Sequence, residues 1–447
     1  MTTRRVLLIS YYFPPGNCIG SLRTGKLAKY LSEFGWEPWV LTVELRLSGM
    51  SEDLPIEVDQ RHIIRAGFGR YFSAMALRRK LAREEVSPNN RGNSKEPSVR
   101  RWLWSKLSGV FSNVRFPDRA LPWYLPALSK GKALMREQRF DAIISSHGPP
   151  ASNVVASILS RRFRVPWVAD FRDLWTQNHM LQNRGRVLQW LEERFEKRMM
   201  QPCHCMVTVS TPLKEQLEQL HRKPVVVIPN GFDEEDYREA GIMPRQDKTL
   251  SIVYTGMIYE AKQDPAVLFQ ALKELIIERQ IARSHIRIEF YGANPRLVCA
   301  LAAPYGLQDI ISVSSRIPHS ESIKKQMQAD ILLLLEWIDP KVRGFFSGKV
   351  FEYLGAKRPV LAVGPKGGVI EALLHTTRAG ALVSTVAEAK ATLKRWLDDR
   401  LKTGNVPYQA DAAAVNRYTR RAQAEAFAGV LNSALQAASD RTQVCLQ

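Results

Sequence analysis

Residues 345–368, FFSGKVFEYLGAKRPVLAVGPKGG, hold a helix, a stop and a strand in one short stretch. Ser347 and Gly348 read as a helix start, and Val350, Phe351 and Leu354 fall on one apolar face at helical spacing. Pro359 has no N–H to continue the helix, and the run Val360 to Val363 that follows it reads as a buried strand. Lys349, Glu352 and Tyr353 share another face, because positions three and four apart are neighbours on a helix. A helix N-terminus with a glycine and a lysine, Gly348 and Lys349, suits a pyrophosphate, since free backbone N–H groups and the ammonium meet the same anion. One turn along, Glu352 can accept two hydrogen bonds from a vicinal diol such as a ribose. Spacing alone equally allows an exposed Lys–Glu pair.

The same alternation of apolar run and helical face extends in both directions. Before residue 232, strands are expected at RVLLIS, EPWVLTV, DAIISSH (141–147), PWVADF (166–171), HCMVTVS (204–210) and PVVVIPN (224–230). After PNGFDEEDY they are expected at LSIVYTG, HIRIEFYG, ISVSSRI, ADILLLLEW and RPVLAVG, with a helix through DPAVLFQALKELIIER. This predicts an α/β protein of two Rossmann-like domains facing across a cleft: residues 1–232 with a basic insertion at about 61–125, then residues 233–410. Residues 411–447 read as one long helix and a polar tail, packing back toward the first domain.

Composition narrows the partners. The chain has 447 residues, 45% of them hydrophobic, and a net charge of +20, so it can bury more than one core and meets an anionic partner. Residues 61–139 carry 18 Lys and Arg against 5 Asp and Glu. The interleaved aromatics there, including Trp102, Trp104 and Trp123, favour a membrane interface or lipid-linked substrate over nucleic acid. The stretches at 73–83 and 99–111 read as basic amphipathic helices around a polar loop at 84–100. No apolar run reaches the ~18 residues of a membrane span, and the start of the chain lacks a signal-peptide pattern. Five scattered cysteines suit a reducing compartment, and the alternation Cys203, Cys205, Val207, Val209 reads as a strand face rather than a zinc site.

GSLRTGKLAKYL, residues 20–31, imitates a nucleotide-hydrolase loop, but Leu27 stands where a Mg²⁺-binding hydroxyl is needed. Leu27, Tyr30, Leu31 and Phe34 instead form a helical apolar face.

SGKVFEYLGAKRPVLAV followed by GPKGG resembles the donor-binding segment of the retaining GT-B nucleotide-sugar glycosyltransferases that build bacterial surface polysaccharides, the family 4-like group. YYFPPGNCIGSLRTGKLAKYLSEFGWEPWVLT, DFRDLW, VSTPLKEQL, IPNGFD and YTGMIYEAKQDP resemble its other signatures, in the same order. The resemblance implies transfer of a sugar from a nucleoside diphosphate donor to a saccharide, lipid-linked acceptor on the cytoplasmic face of the inner membrane, with no nucleic acid partner. It implies that Glu352 binds the ribose, that N–H groups near Gly348 and Lys349 meet the diphosphate, and that Lys262 neutralises the leaving group near Gly256. It places Gly16 and Gly20 on the loop that lets the backbone approach donor phosphate and acceptor, with Arg23 on the first helical turn as an anion contact. It places His147 beside the transferred sugar as a catalytic candidate, and Asp170, Arg172 and Asp173 either on the acceptor side or as a brace. Two features depart from the group: Gly344 stands eight residues before Glu352 where a second glutamate is frequent, and Met257 follows Gly256 where an arginine is frequent. With no Asp-x-Asp pair in a metal setting, a metal-independent reaction without cofactor is expected. A 2-epimerase of the same fold and a non-enzymatic basic binding module are the alternatives.

Overall fold

The apolar runs become strands because both faces of each are covered, which favours continuous Val, Ile and Leu over alternation. In the computed structural model, residues 3–48, 50–68, 118, 120–178, 185–238, 249–339, 342 and 344–444 are described. The helices expected at 73–83 and 99–111, and the loop between them, lie outside these residues. The chain divides into two units: the described parts of Met1–Thr208, Lys214–Val227 and Ala424–Gln447, and those of Val209–Leu213 and Ile228–Gln423.

The first unit is built on β1 (Arg4–Ser10), β2 (Trp36–Val43), β3 (Ile63–Ala66), β4 (Ala142–Ser146), β5 (Trp167–Phe171), β6 (Cys205–Thr208) and β7 (Val225–Val227). They form one parallel sheet in the order β3-β2-β1-β4-β5-β6-β7, with Ser10 opposite Ser146 and Ser146 opposite Asp170. The second unit has β8 (Leu250–Thr255), β9 (Ile286–Tyr291), β10 (Ile311–Ser314), β11 (Ile331–Leu335), β12 (Val360–Val363) and β13 (Gly380–Val383), parallel in the order β10-β9-β8-β11-β12-β13. Every residue of β11, ILLLL, is buried, at about 1.5–3 kcal/mol of transfer energy per large side chain. In each sheet the strand order reverses beside the first strand, between β1 and β4 and between β8 and β11. Open α/β sheets receive ligands beyond the carboxyl ends of the strands at such a point.

Two strands are additional to the sequence reading. β3 is four residues long with Arg65 inside it, and β13 begins at Gly380, where a Cβ would lie 2.0 Å from Val360 O. Neither has the length or residue type that marks a strand by pattern. The C-terminal segment also differs: it forms helices Ala412–Asn416 and Arg420–Val444 rather than one. Between them the backbone pairs with Phe232, whose N–H donates to Tyr418 O and whose carbonyl accepts from Arg420 N–H, and those bonds replace a helical turn.

Candidate functional site

At the reversal point of the second unit, Gly256 follows β8 with φ +103°, and a Cβ there would lie 2.6 Å from Lys349 Cε. Only glycine meets both conditions. Lys349 therefore lies across Gly256, its Nζ 3.0 Å from Tyr254 Oη and 4.7 Å from the centre of that ring. Burial lowers the Lys349 pKa to about 8, with Glu352 and Glu336 opposing the shift. Helix Gly348–Ala356 starts after Ser347, whose side chain makes no capping bond; Val350 N–H donates to Ser347 O, and the N–H groups of Gly348 and Lys349 keep their anion-binding capacity.

Glu352 stands one turn along, its carboxylate accepting from Gln326 Nε2 at 3.0 Å and lying 3.4 Å from His319 Nε2. Burial alone would raise its pKa, but His319, Gln326 and Lys349 outweigh burial and hold it below the ordinary value. Tyr353, expected on the same polar face, is fully buried with its hydroxyl 3.3 Å from Thr255 N. Lys262 is exposed on the loop after β8, its Nζ 5.1 Å from the Trp337 ring, which stacks on Tyr259. Ile338 N–H donates to Lys262 O and ties this loop to the one that follows β11.

At the reversal point of the first unit, the loop after β1 leads into helix Ile19–Leu31, and Cys18 accepts from Ser21 N–H as its cap. Gly16 N–H donates to Phe13 O within that loop, and a Cβ at Gly16 would collide with Met50. Gly20 makes room for Arg172: a Cβ there would lie 2.8 Å from the guanidinium carbon. Arg172 donates to His147 O and Gly148 O, both at 3.2 Å, and stands 5.7 Å from the centre of the Tyr12 ring. Gly148 has φ +88° and is as close to the same guanidinium. Asp173 is half-buried.

Arg23 and Asp170 are buried together, with Arg23 Nε and Nη2 each 2.8 Å from a different carboxylate oxygen. The Phe427 ring lies 5.5 Å from the same guanidinium. Arg23 is thus placed inside the unit rather than on an accessible helical turn, because Asp170 at the end of β5 offers a bidentate partner in a dry environment. His147 is also internal. Its Nδ1 is 3.1 Å from Asn153 Nδ2, its ring stacks on Phe171, and burial, then Arg172, lowers its pKa to about 3, opposed by hydrogen bonding to the Leu174 backbone. A ring so held stays neutral near pH 7 and is a weak base. Burial pushes the Cys203 thiol up to about 12, and its Sγ donates to Cys205 O.

Residues 86–236 match the family model of Glycosyltransferase Family 4. The chain has the fold of the GT-B glycosyltransferases. Sucrose-phosphate synthase from Thermosynechococcus elongatus is similar in fold, with a TM-score of 0.63 at 14% identity, over 97% of this chain and 100% of that one. Anabaena HepE in complex with UDP and glucose matches at TM-score 0.59 and 16% identity, over 96% and 100%. The lipopolysaccharide outer core galactosyltransferase WaaB matches at TM-score 0.53 and 12% identity, over 97% and 99%. No curated protein sequence matches the chain.

The structure brings Gly256, Gly348, Lys349 and Glu352 together in one unit, and Gly20, Arg172 and the His147–Gly148 backbone in the other. The sequence reading missed Tyr254, His319, Gln326 and Glu336. His319 and Gln326 lie seven apart, two turns on one face of helix His319–Gln328, a pattern visible in principle but without meaning until Glu352 is placed beside it. Among the described residues, no helix is long and apolar enough to cross a membrane.

Proposed function

We propose that this glycosyltransferase moves a sugar from a nucleoside diphosphate sugar to a saccharide acceptor in surface-polysaccharide synthesis, with retention and without a metal. The observation that carries the donor reading is Lys349, lying across Gly256 at the start of an uncapped helix, with Glu352 one turn behind it. The helix N-terminus and Lys349 receive the diphosphate, and Glu352, oriented by Gln326 and His319, receives the ribose diol. As the sugar leaves, charge grows on the diphosphate, and fixed cations and N–H groups stabilise it without reorganising; the exposed Lys262 adds to this from its loop. Arg172, held by two backbone carbonyls over Gly20, faces the acceptor or its phosphate. Asp170 and Arg23 brace this end of the sheet. The complexes of HepE with UDP and glucose and with UDP-glucose support a nucleotide-sugar donor, and the name of WaaB supports a surface-saccharide acceptor.

A thermal-shift screen with UDP-, GDP- and ADP-sugars, followed by transfer to lipid-linked saccharides in the presence of EDTA, tests this. One nucleotide class should raise Tm by several degrees, as ligand well above its Kd adds roughly 3 kcal/mol, and transfer should survive chelation. No shift with any of them would overturn the donor reading.

The enzyme is further proposed to work peripherally at the cytoplasmic face of an anionic membrane. Support comes from helix Arg186–Met200, where Val187, Trp190 and Leu191 are exposed and Arg194 lies 4.9 Å from the Trp190 ring centre, and from the basic charge of residues 61–139. The protein should co-sediment with vesicles containing anionic lipid and not with purely zwitterionic ones, and Trp190→Glu should weaken the association. Equal recovery with both vesicles would remove this part of the reading.

A further inference from the structure

Glu336 is the first residue beyond β11, at the reversal point of the second sheet and on the other side of it from Gly256. Its N–H donates to Val363 O, which fixes the backbone, and Gly364 makes room for it: a Cβ there would lie 2.3 Å from Glu336 Cβ. The side chain is half-buried and makes no hydrogen bond or ion pair among the described residues. Its nearest charge is Lys349, but Lys349 Nζ is already bonded to Tyr254 Oη, with Met257 O at 3.4 Å. The carboxyl is therefore neither the salt-bridge partner of Lys349 nor satisfied by the fold.

A partly desolvated carboxyl without partners is costly unless a ligand supplies donors. Burial pushes its pKa up to about 7, with Lys349 opposing the shift, which is the mark of an acceptor that has lost water and gained nothing in exchange. The ligand group that meets it must lie close to whatever Lys349 binds. A second anion beside a diphosphate would be repelled, so the fitting chemistry is a neutral group rich in hydroxyls.

We propose that Glu336 binds hydroxyl groups of the transferred sugar and so sets which sugar the donor site accepts. The assignment rests on the donor reading above.

The test separates sugar from nucleotide. Using the full chain and the nucleotide class that stabilises it most, Kd is measured by calorimetry for the free nucleoside diphosphate and for its sugar conjugates. Glu336→Ala should weaken the preferred nucleotide sugar by roughly tenfold to a hundredfold, the size of hydrogen bonds to a charged group. With the measurements made at about pH 6, well below the Lys349 pKa of about 8, the ammonium is present with or without Glu336, and the free nucleoside diphosphate should change by less than about threefold. Glu336→Gln keeps the shape and should fold as wild type while altering the order of preference among sugars. Equal weakening of nucleotide and nucleotide sugar, or no change in either, would overturn the assignment of Glu336 alone. A wild-type protein that binds no nucleoside diphosphate would overturn the donor reading, and this assignment with it.

Discussion

Lys349→Met is expected to lower kcat/KM for the nucleotide sugar by at least about a hundredfold while leaving the unfolding transition in place. Methionine retains an unbranched stem that can cross Gly256, so the loss isolates the ammonium from the packing. Removing one preorganised contact to a developing oxyanion costs about 10²–10³ in rate, or roughly 2.7–4 kcal/mol. A second measurement checks the same residue. The Lys349 ammonium is held to a pKa of about 8, so donor affinity should be full below that pH and fall as pH rises through it. Diphosphate favours the charged form, so in the complex the fall moves to higher pH. Other groups facing this region are Glu336, Glu352, His319, Lys262, Tyr254 and Tyr353; of these Glu336, with its pKa about 7, ionises on the acid side and so favours the ammonium as pH rises toward 8. The alkaline fall should be missing from Lys349→Met. Unchanged donor affinity in the variant, at any pH from 6 to 9, would remove Lys349 from the site.

Asp170→Ala is expected to be among the most destabilising single substitutions in the first unit. It leaves the Arg23 guanidinium, 0% exposed, without its bidentate acceptor, and breaking one side of a buried pair costs about 3–5 kcal/mol. At roughly 2–4 °C per kcal/mol for a unit of this size, Tm should fall by about 6–20 °C. Arg23→Met with Asp170→Leu removes both charges and should recover more than half of the loss, since apolar replacement of a buried pair is often near neutral. Calorimetric unfolding of the single and double variants decides it. A loss below about 1 kcal/mol for Asp170→Ala would mean that the guanidinium finds water or another acceptor, and the bracing role would fail.

The placement of Gly348, Lys349 and Glu352 was legible because its signals are local. A glycine and a lysine at a helix start, with a carboxylate one turn later, occupy a single short segment, and helical periodicity fixes their relative placement. Glu336 was not legible: on the chain it is only the first polar residue after ILLLL, and its meaning comes from Lys349, thirteen residues away, and from Gly364 on the neighbouring strand. His147 and Arg23 show the converse. Both have residue types suited to ligand chemistry, yet Asn153 and Phe171 enclose the first and Asp170 the second.

By itself the sequence determined two parallel α/β sheets, since continuous apolar runs separated by helical faces have few other solutions. It also determined that Gly348 and Lys349 stand together at one helix end. Tertiary structure alone decided which charged groups are spent on the protein and which remain for a ligand. That division depends on burial and on partners brought from distant parts of the chain, as Arg23 and Asp170 are, and no spacing along the sequence encodes it.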